Sequence, residues 1–214
     1  MDYPDIKPLF IQLGIPSSGK NSEGEDSYTC PAIQIKPKGG SAPIFVADSL
    51  KIVEFLEDRY PDTPAVLNNP NFPKETQLKT IAKVRPELIL PLYPLIVHCT
   101  FHHLPERSLA YFRLTRERML GRKIEELCSD EETLESYRRT AKKKFSEFLA
   151  GCPNFGSYVL GNRICYADMV LASTLMWIRC IAREELWSKV KEWDDGKWEK
   201  YLNSFEENGY AKVY

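Results

Sequence analysis

A proline interrupts an early stretch of this chain that otherwise reads as a β-strand. Tyr28 to Ile35 runs YTCPAIQI, with Pro31 in the middle. Proline cannot donate to a strand ladder, so such a segment is confined to a sheet edge or a bulge. Pro37-Lys38-Gly39-Gly40 then reads as a hairpin turn and Ile44-Phe45-Val46 as the returning strand. Ala47-Asp48-Ser49 ends that strand, and Ser49 is a strong helix N-cap. The helix after it is expected to bury Leu50, Ile52, Val53, Phe55 and Leu56 and to stop near Tyr60-Pro61. Upstream, Asp5 is expected to cap a short helix carrying Ile6, Leu9, Phe10 and Leu13, with Pro8 in its first turn and Gly14 closing it. Residues 16–26 read as a polar loop rich in turn formers.

The character of the chain changes after this region. Nine of the fifteen prolines fall in the first 70 residues, together with most of the β-like runs. From about Lys74 onward the pattern is helical. Residues 74–104 read as one or two helices, interrupted at Pro86, Pro91 and Pro94, which must break or kink the backbone ladder. Residues 106–127 and 131–150 form two long amphipathic patterns. Residues 165–182 are apolar on nearly every side, the mark of a helix enclosed by others. Residues 184–206 add one or two short helices, with Trp187, Trp193 and Trp198 as packing anchors. A mixed segment followed by an all-helical one indicates an α+β fold in two parts, residues 1–67 and 74–214.

Composition excludes several function classes. Twenty-nine basic against thirty acidic residues give a net charge of −1. That balance argues against nucleic-acid binding through phosphate neutralisation. The longest apolar runs, residues 88–97 and 169–178, fall short of the ~20 residues a membrane-spanning helix needs. The N-terminal MDYPDIKPLF has no apolar core of a secretion signal. Cys30, Cys99, Cys128, Cys152, Cys165 and Cys180 show neither a C-x-x-C pair nor a compact disulfide framework. They read as six free thiols in a reducing compartment, the cytoplasm.

The stretch YTCPAI…IFVADSLKIVEFLEDRYPDTP resembles the second half of the thioredoxin-like domain of glutathione transferases. The later block GNRICYADMVLAS resembles that family's buried sixth helix. YFRLTRERMLGRKIEEL and WDDGKWEKYLNSF are similar to the fungal etherase-related transferases, including those with a UstS-like C-terminal domain. The resemblance implies an incomplete thioredoxin-like N-terminal subdomain over residues 1–67, followed by an all-α helical bundle over residues 74–214. It implies glutathione as co-substrate, no metal, detoxification chemistry and a homodimer.

The resemblance also assigns residues. The mid-strand Pro31 would be cis, at a cost of only ~0.5–1 kcal/mol for an X–Pro bond. The main chain of Cys30 would then pair with the cysteinyl backbone of glutathione as a short added strand. Asp48 would attract the γ-glutamyl ammonium while Ser49 bonds the γ-glutamyl carboxylate at a helix N-terminus, where free N–H groups favour an anion. Tyr93, Phe101, Tyr111 and Phe112 are candidates for the wall of a pocket holding a small hydrophobic co-substrate. The family's opening strand, helix and second strand have no counterpart before Tyr3, and the thiol-activating residue belongs to that opening. No position here matches it, so no catalytic residue is assigned. A glutathione- or hydrophobic-ligand-binding module without turnover, or a protein-interaction module, therefore stands beside the enzyme reading.

Plainer roles compete at each position. Pro31 fits a trans proline on an edge strand, Asp48-Ser49 a simple helix cap, and the four aromatics ordinary core. His98, His102 and His103 cluster beside Cys99 with an i, i+4 pair suited to a metal, but no third ligand stands at a telling spacing. The basic run Arg138-Arg139 with Lys142-Lys143-Lys144 is flanked by Glu132, Glu135 and Glu147 and reads as a solvated helix face. In the sixth-helix block, Cys165 stands where the family has Ser or Thr opening a reciprocal cap with Asp168.

Overall fold

The computed structural model describes residues 1–210 except Ser22 and Lys38, so the middle of the expected 37–40 turn lies outside the described residues. The chain divides into two compact units, Met1–Ala65 with Pro105–Phe112, and Val66–Leu104 with Arg113–Tyr214.

The first unit opens with helix α1 (Tyr3–Leu13). Its cap is Asp2, three residues before the expected Asp5, whose carboxylate instead receives the Asp2 N–H at 3.4 Å. Pro8 therefore lies inside the helix, where its missing N–H leaves the Pro4 carbonyl without its i+4 donor. Gly14 ends α1 in the left-handed region at φ 69, and Ile15 N donates back to the Phe10 carbonyl at 2.8 Å. The supposed polar loop contains a small hairpin, β1 (Gly19–Lys20) with β2 (Asp26–Ser27), clamped by a 2.8 Å Lys20–Asp26 ion pair. Hydrophobic periodicity carries no signal for strands of two residues with no apolar side chain between them. β3 (Ala32–Ile35) begins only after Pro31 and pairs antiparallel with β4 (Ile44–Ala47). Helix α2 (Ser49–Arg59) follows. Of its five expected core residues only Ile52 is buried; Leu56 is 37% exposed. The unit's core is small: Phe10, Ile15 and Ala47, with Ile6, Tyr28, Ala32 and Phe45 packed against them.

The second unit carries the main core. Helix α3 (Lys74–Lys83) passes into a wide turn at Val84–Ile89 and a tight one at Leu90–Leu92 before α4 (Tyr93–His103). Pro86, Pro91 and Pro94 sit in these transitions, where each missing N–H is tolerated. Helix α5 (Glu106–Leu120) stops short of the expected residue 127, because Gly121 turns left-handed at φ 66. Helices α6 (Glu131–Ala150) and α7 (Tyr166–Ile181) follow, then the single turn α8 (Ser188–Val190) and α9 (Trp193–Glu207). Trp187, Trp193 and Trp198 are buried as expected. Helix α7 is less enclosed than its composition indicates: Met169, Ser173, Trp177 and Cys180 form one exposed stripe. No helix among the described residues is long and apolar enough to cross a membrane.

Buried polar groups fasten this unit. Asp168 is fully buried and accepts from Val159 N (2.7 Å), Tyr201 Oη (2.9 Å), Cys165 N (2.9 Å) and Cys165 Sγ (3.1 Å). Gln77, also fully buried, donates to the Leu67 and Phe72 carbonyls and accepts from Tyr166 N. At the start of α9, Asp194, Asp195 and Gly196 are consecutively left-handed. Asp194 holds that turn by accepting from Ser146 Oγ at 2.6 Å and Trp198 Nε1 at 2.8 Å.

The α7 cap rests on Asp168, with a thiol as one of its donors. A hydroxyl is the stronger donor to a carboxylate and the stronger cap. Cys165→Ser is expected to stabilise the protein by about 1 kcal/mol, a rise of about 2–4 °C in melting temperature for a chain of this size. A scanning-calorimetry midpoint that stays put or falls would show that the thiol is better suited to this buried site.

Candidate functional site

The candidate site of the first unit follows from strand register. Ala32 pairs with Ala47, so Cys30-Pro31 and Asp48-Ser49 leave β3 and β4 at the same end of the ladder. Residues directly opposite on antiparallel strands have Cβ atoms ~4.5–5.5 Å apart. The Cys30–Pro31 peptide bond is cis. Cys30 is exposed and precedes the first paired residue, Ala32.

Asp48, rather than the expected Ser49, caps α2. Its Oδ1 accepts from Leu50 N at 3.0 Å and Lys51 N at 3.2 Å. Its Oδ2 has no partner among the described residues. A carboxylate one residue ahead of the helix reaches the second and third N–H groups, which is why the acid takes the capping role and Ser49 becomes the first helical residue. Asp48 also has φ 82 and ψ 128, a backbone region that L residues rarely occupy. Such a conformation costs on the order of 1–3 kcal/mol and clusters at ligand clamps. The end of the hairpin thus presents an exposed main-chain segment at residue 30, a carboxylate oxygen at residue 48 and a helix N-terminus at residue 49. Together these suit a ligand with a backbone-like middle and a zwitterionic head.

The four aromatic candidates divide between the units. In the first unit, the Tyr111 ring stacks on Tyr3 (6.3 Å, 14°), and the buried Phe112 ring tilts against the same tyrosine at 5.8 Å. In the second, Tyr93 is half-buried at the start of α4, and Phe101 lies beneath the Arg113 guanidinium, 4.6 Å from the ring centroid. His98 and His102 contact edge-on at 4.9 Å, while His103 Nε2 lies 3.1 Å from the Ile181 carbonyl. No group of three or more His, Cys, Asp or Glu suited to a metal occurs among the described residues.

Burial sorts the thiols. It pushes Cys99 and Cys165 up to about 12 and Cys128 up to about 11, and raises Cys152 as well. None of these four supplies a thiolate at neutral pH. Only Cys30 and Cys180 are exposed. Sequence reasoning did not find the strained backbone at Asp48, which side-chain pattern does not encode.

Comparison with known proteins places the chain. The family model "Glutathione S-transferase, C-terminal domain" matches residues 80–208. The glutathione transferase GSTFuA3 of Phanerochaete chrysosporium is 33% identical, with a TM-score of 0.80 over 100% of this chain and 83% of that one. CsGST83044 of Ceriporiopsis subvermispora, solved in complex with glutathione, is 26% identical, with a TM-score of 0.83 over 97% of this chain and 83% of that one. CsGST63524 of the same fungus, also in complex with glutathione, is 27% identical, with a TM-score of 0.81 over 100% and 84%. A search of curated proteins gave no match. With more than half its length matched by the family model and a full-length relative one third identical, the chain belongs to the glutathione S-transferase family.

Proposed function

We propose that the chain binds glutathione at the end of the β3–β4 hairpin and presents its thiol to a hydrophobic electrophile or ether. The observation that carries this reading is the register, which sets Cys30-Pro31 beside Asp48-Ser49. The cysteinyl backbone of the tripeptide pairs with the main chain of Cys30. Asp48 Oδ2 receives the γ-glutamyl ammonium, since Oδ1 is committed to the helix cap. The γ-glutamyl carboxylate meets the positive end of α2 at Ser49. Bound glutathione attacks as its thiolate, and a free thiol near pKa ~8.5 is only a few per cent ionised at neutral pH. Within the second unit, Tyr93 and Phe101 are the candidates for apolar surface facing the second substrate. The segments YFRLTRERMLGRKIEEL and WDDGKWEKYLNSF support an etherase-related subclass.

Titration calorimetry with glutathione tests the binding step. Asp48→Asn keeps an acceptor for the cap and a residue that tolerates positive φ. It is expected to weaken glutathione by about tenfold, the loss of one charge-assisted contact, while leaving the melting temperature within a few degrees. Ser49→Ala is expected to weaken it comparably. Unchanged affinity in both variants, or no saturable binding to the parent protein, would remove the site from this hairpin. Turnover of a generic aromatic electrophile by the glutathione-saturated protein separates the enzyme from a binding module.

A further inference from the structure

The sequence reads the basic run on α6 as a solvated face, and Arg139, Lys142 and Lys143 are exposed, whereas Arg138 is largely covered. That face borders a cleft of about 340 Å³, lined by Glu135, Arg138, Arg139 and Lys142 of α6, Lys189 of α8 and Trp193 at the start of α9. All of it lies within the second unit.

Its charges are not balanced. Arg138 has only 13% of its side chain exposed and is fixed on three sides. Its Nη1 donates to Glu131 and Glu135 and its Nε donates to the Glu185 carbonyl at 2.9 Å. Those bonds consume the acid of the cleft, Glu135, and leave Arg138 Nη2 without a partner among the described residues. Arg139, Lys142 and Lys189 are exposed and form no ion pair among the described residues. Three unneutralised cations and one anchored guanidinium therefore line one concavity, whose volume lies within the ordinary range for small-ligand sites. Like charges held together repel, and a multiply charged anion relieves that repulsion at all of them at once. An arginine held by other bonds is preorganised for an oxyanion, so little side-chain entropy is lost when one arrives.

We propose that this cleft is a binding site for a small, multiply charged phosphate-bearing anion, separate from the candidate glutathione site. Arg138 Nη2 and Arg139 take phosphoryl oxygens as directional donors, and Lys142 and Lys189 neutralise the remaining charge. The net charge of −1 for the whole chain favours a compact ligand over an extended nucleic acid.

The test is calorimetric titration of the full chain with inorganic pyrophosphate at low ionic strength, in the presence of saturating glutathione. Saturable binding is expected, and each of Arg139→Gln, Lys142→Gln and Lys189→Gln should weaken it about five- to tenfold. The triple variant should lose measurable binding while keeping the parent's melting temperature, since all three side chains are exposed. Lys51→Gln on α2, in the first unit, should leave pyrophosphate affinity unchanged. Absence of saturable binding, retention of binding by the triple variant, or an equal loss in Lys51→Gln would overturn the proposal. Because the three variants lie in the second unit and Lys51→Gln reports on α2 in the first, repeating the titration without glutathione keeps these results independent of whether the hairpin site is correctly assigned.

Discussion

Replacing Asp168 by alanine is expected to cost about 3–5 kcal/mol, the range for removing one partner from a buried charged network. The residue has no solvent exposure, and its carboxylate is the acceptor for Val159 N–H, Cys165 N–H and Tyr201 O–H. Alanine leaves these three donors and the Cys165 thiol in the core without their acceptor, each of the three strong donors at a penalty of about 1–3 kcal/mol before relaxation. At about 2–4 °C per kcal/mol the melting temperature should drop by about 6–20 °C. Asp168→Asn retains one acceptor oxygen and should lose less than half as much. The protonation balance sharpens the comparison. Burial is the leading cause that lifts the Asp168 carboxyl above its usual range, against the hydrogen bonds that pull it down. A raised folded-state pKa gives a contribution to stability that is full below about pH 3.8 and fades as pH rises through the folded value. The asparagine variant has no such slope, so its deficit against the parent should be larger in acid than at pH 7. Urea unfolding of the three proteins at both pH values measures this. A loss below 1 kcal/mol for the alanine variant would mean that water or a rearranged loop supplies the missing acceptor.

How far the sequence reaches depends on whether a residue's role is local. Asp168 was legible because an acid three residues into a helix has one common job, and that job needs only its own turn. The proline breaks at residues 86, 91 and 94 were legible for the same reason: a missing N–H acts where it stands. Asp48 and Ser49 were legible as a pair at a helix start, yet their division of labour was not. Which of them caps depends on the backbone angle at residue 48, imposed by the strand arriving from β4. Gln77 was invisible, because a polar residue in an amphipathic helix reads as surface until the Leu67 and Phe72 carbonyls are found beside it. Arg138 failed in the same way: flanking glutamates signal a solvated face, whereas the chain returns at Glu185 and buries the guanidinium. The weak burial along α2 has a related origin. Periodicity says which face of α2 is apolar, not which of its residues a neighbouring element covers: Ile52 is buried, while Leu50, Val53, Phe55 and Leu56 are not.

The same burial that silences the thiols should make the fold fail in alkali. Cys99, Cys152 and Cys165 are at most 5% exposed, and Cys128 is half-buried. Burial is the leading cause that raises each of them above the ordinary value of 9.0, to about 12 for Cys99 and Cys165 and to about 11 for Cys128. The unfolded chain therefore ionises these thiols from about pH 9 upward, while the folded chain keeps their protons. A raised pKa means that stability is fully present below pH 9 and is lost as pH climbs toward 12. At pH 10 Cys99 and Cys165 each favour the unfolded state by about 1.4 kcal/mol, so the two cost about 3 kcal/mol between them, and Cys152 adds to the loss in the same direction. Tyr201, raised well above 10 first by burial and then by Asp168, steepens the loss at higher pH. Denaturant unfolding at pH 7, 8, 9 and 10 should show a plateau followed by a fall of that size. Thiol titration of the native protein at pH 7 should find the exposed Cys30 and Cys180 reacting fast and the buried thiols only on unfolding. Were stability flat from pH 8 to pH 10 with the four thiols still protected, their protons would have to be bound no more tightly in the fold than in the open chain, and burial would not be what controls them.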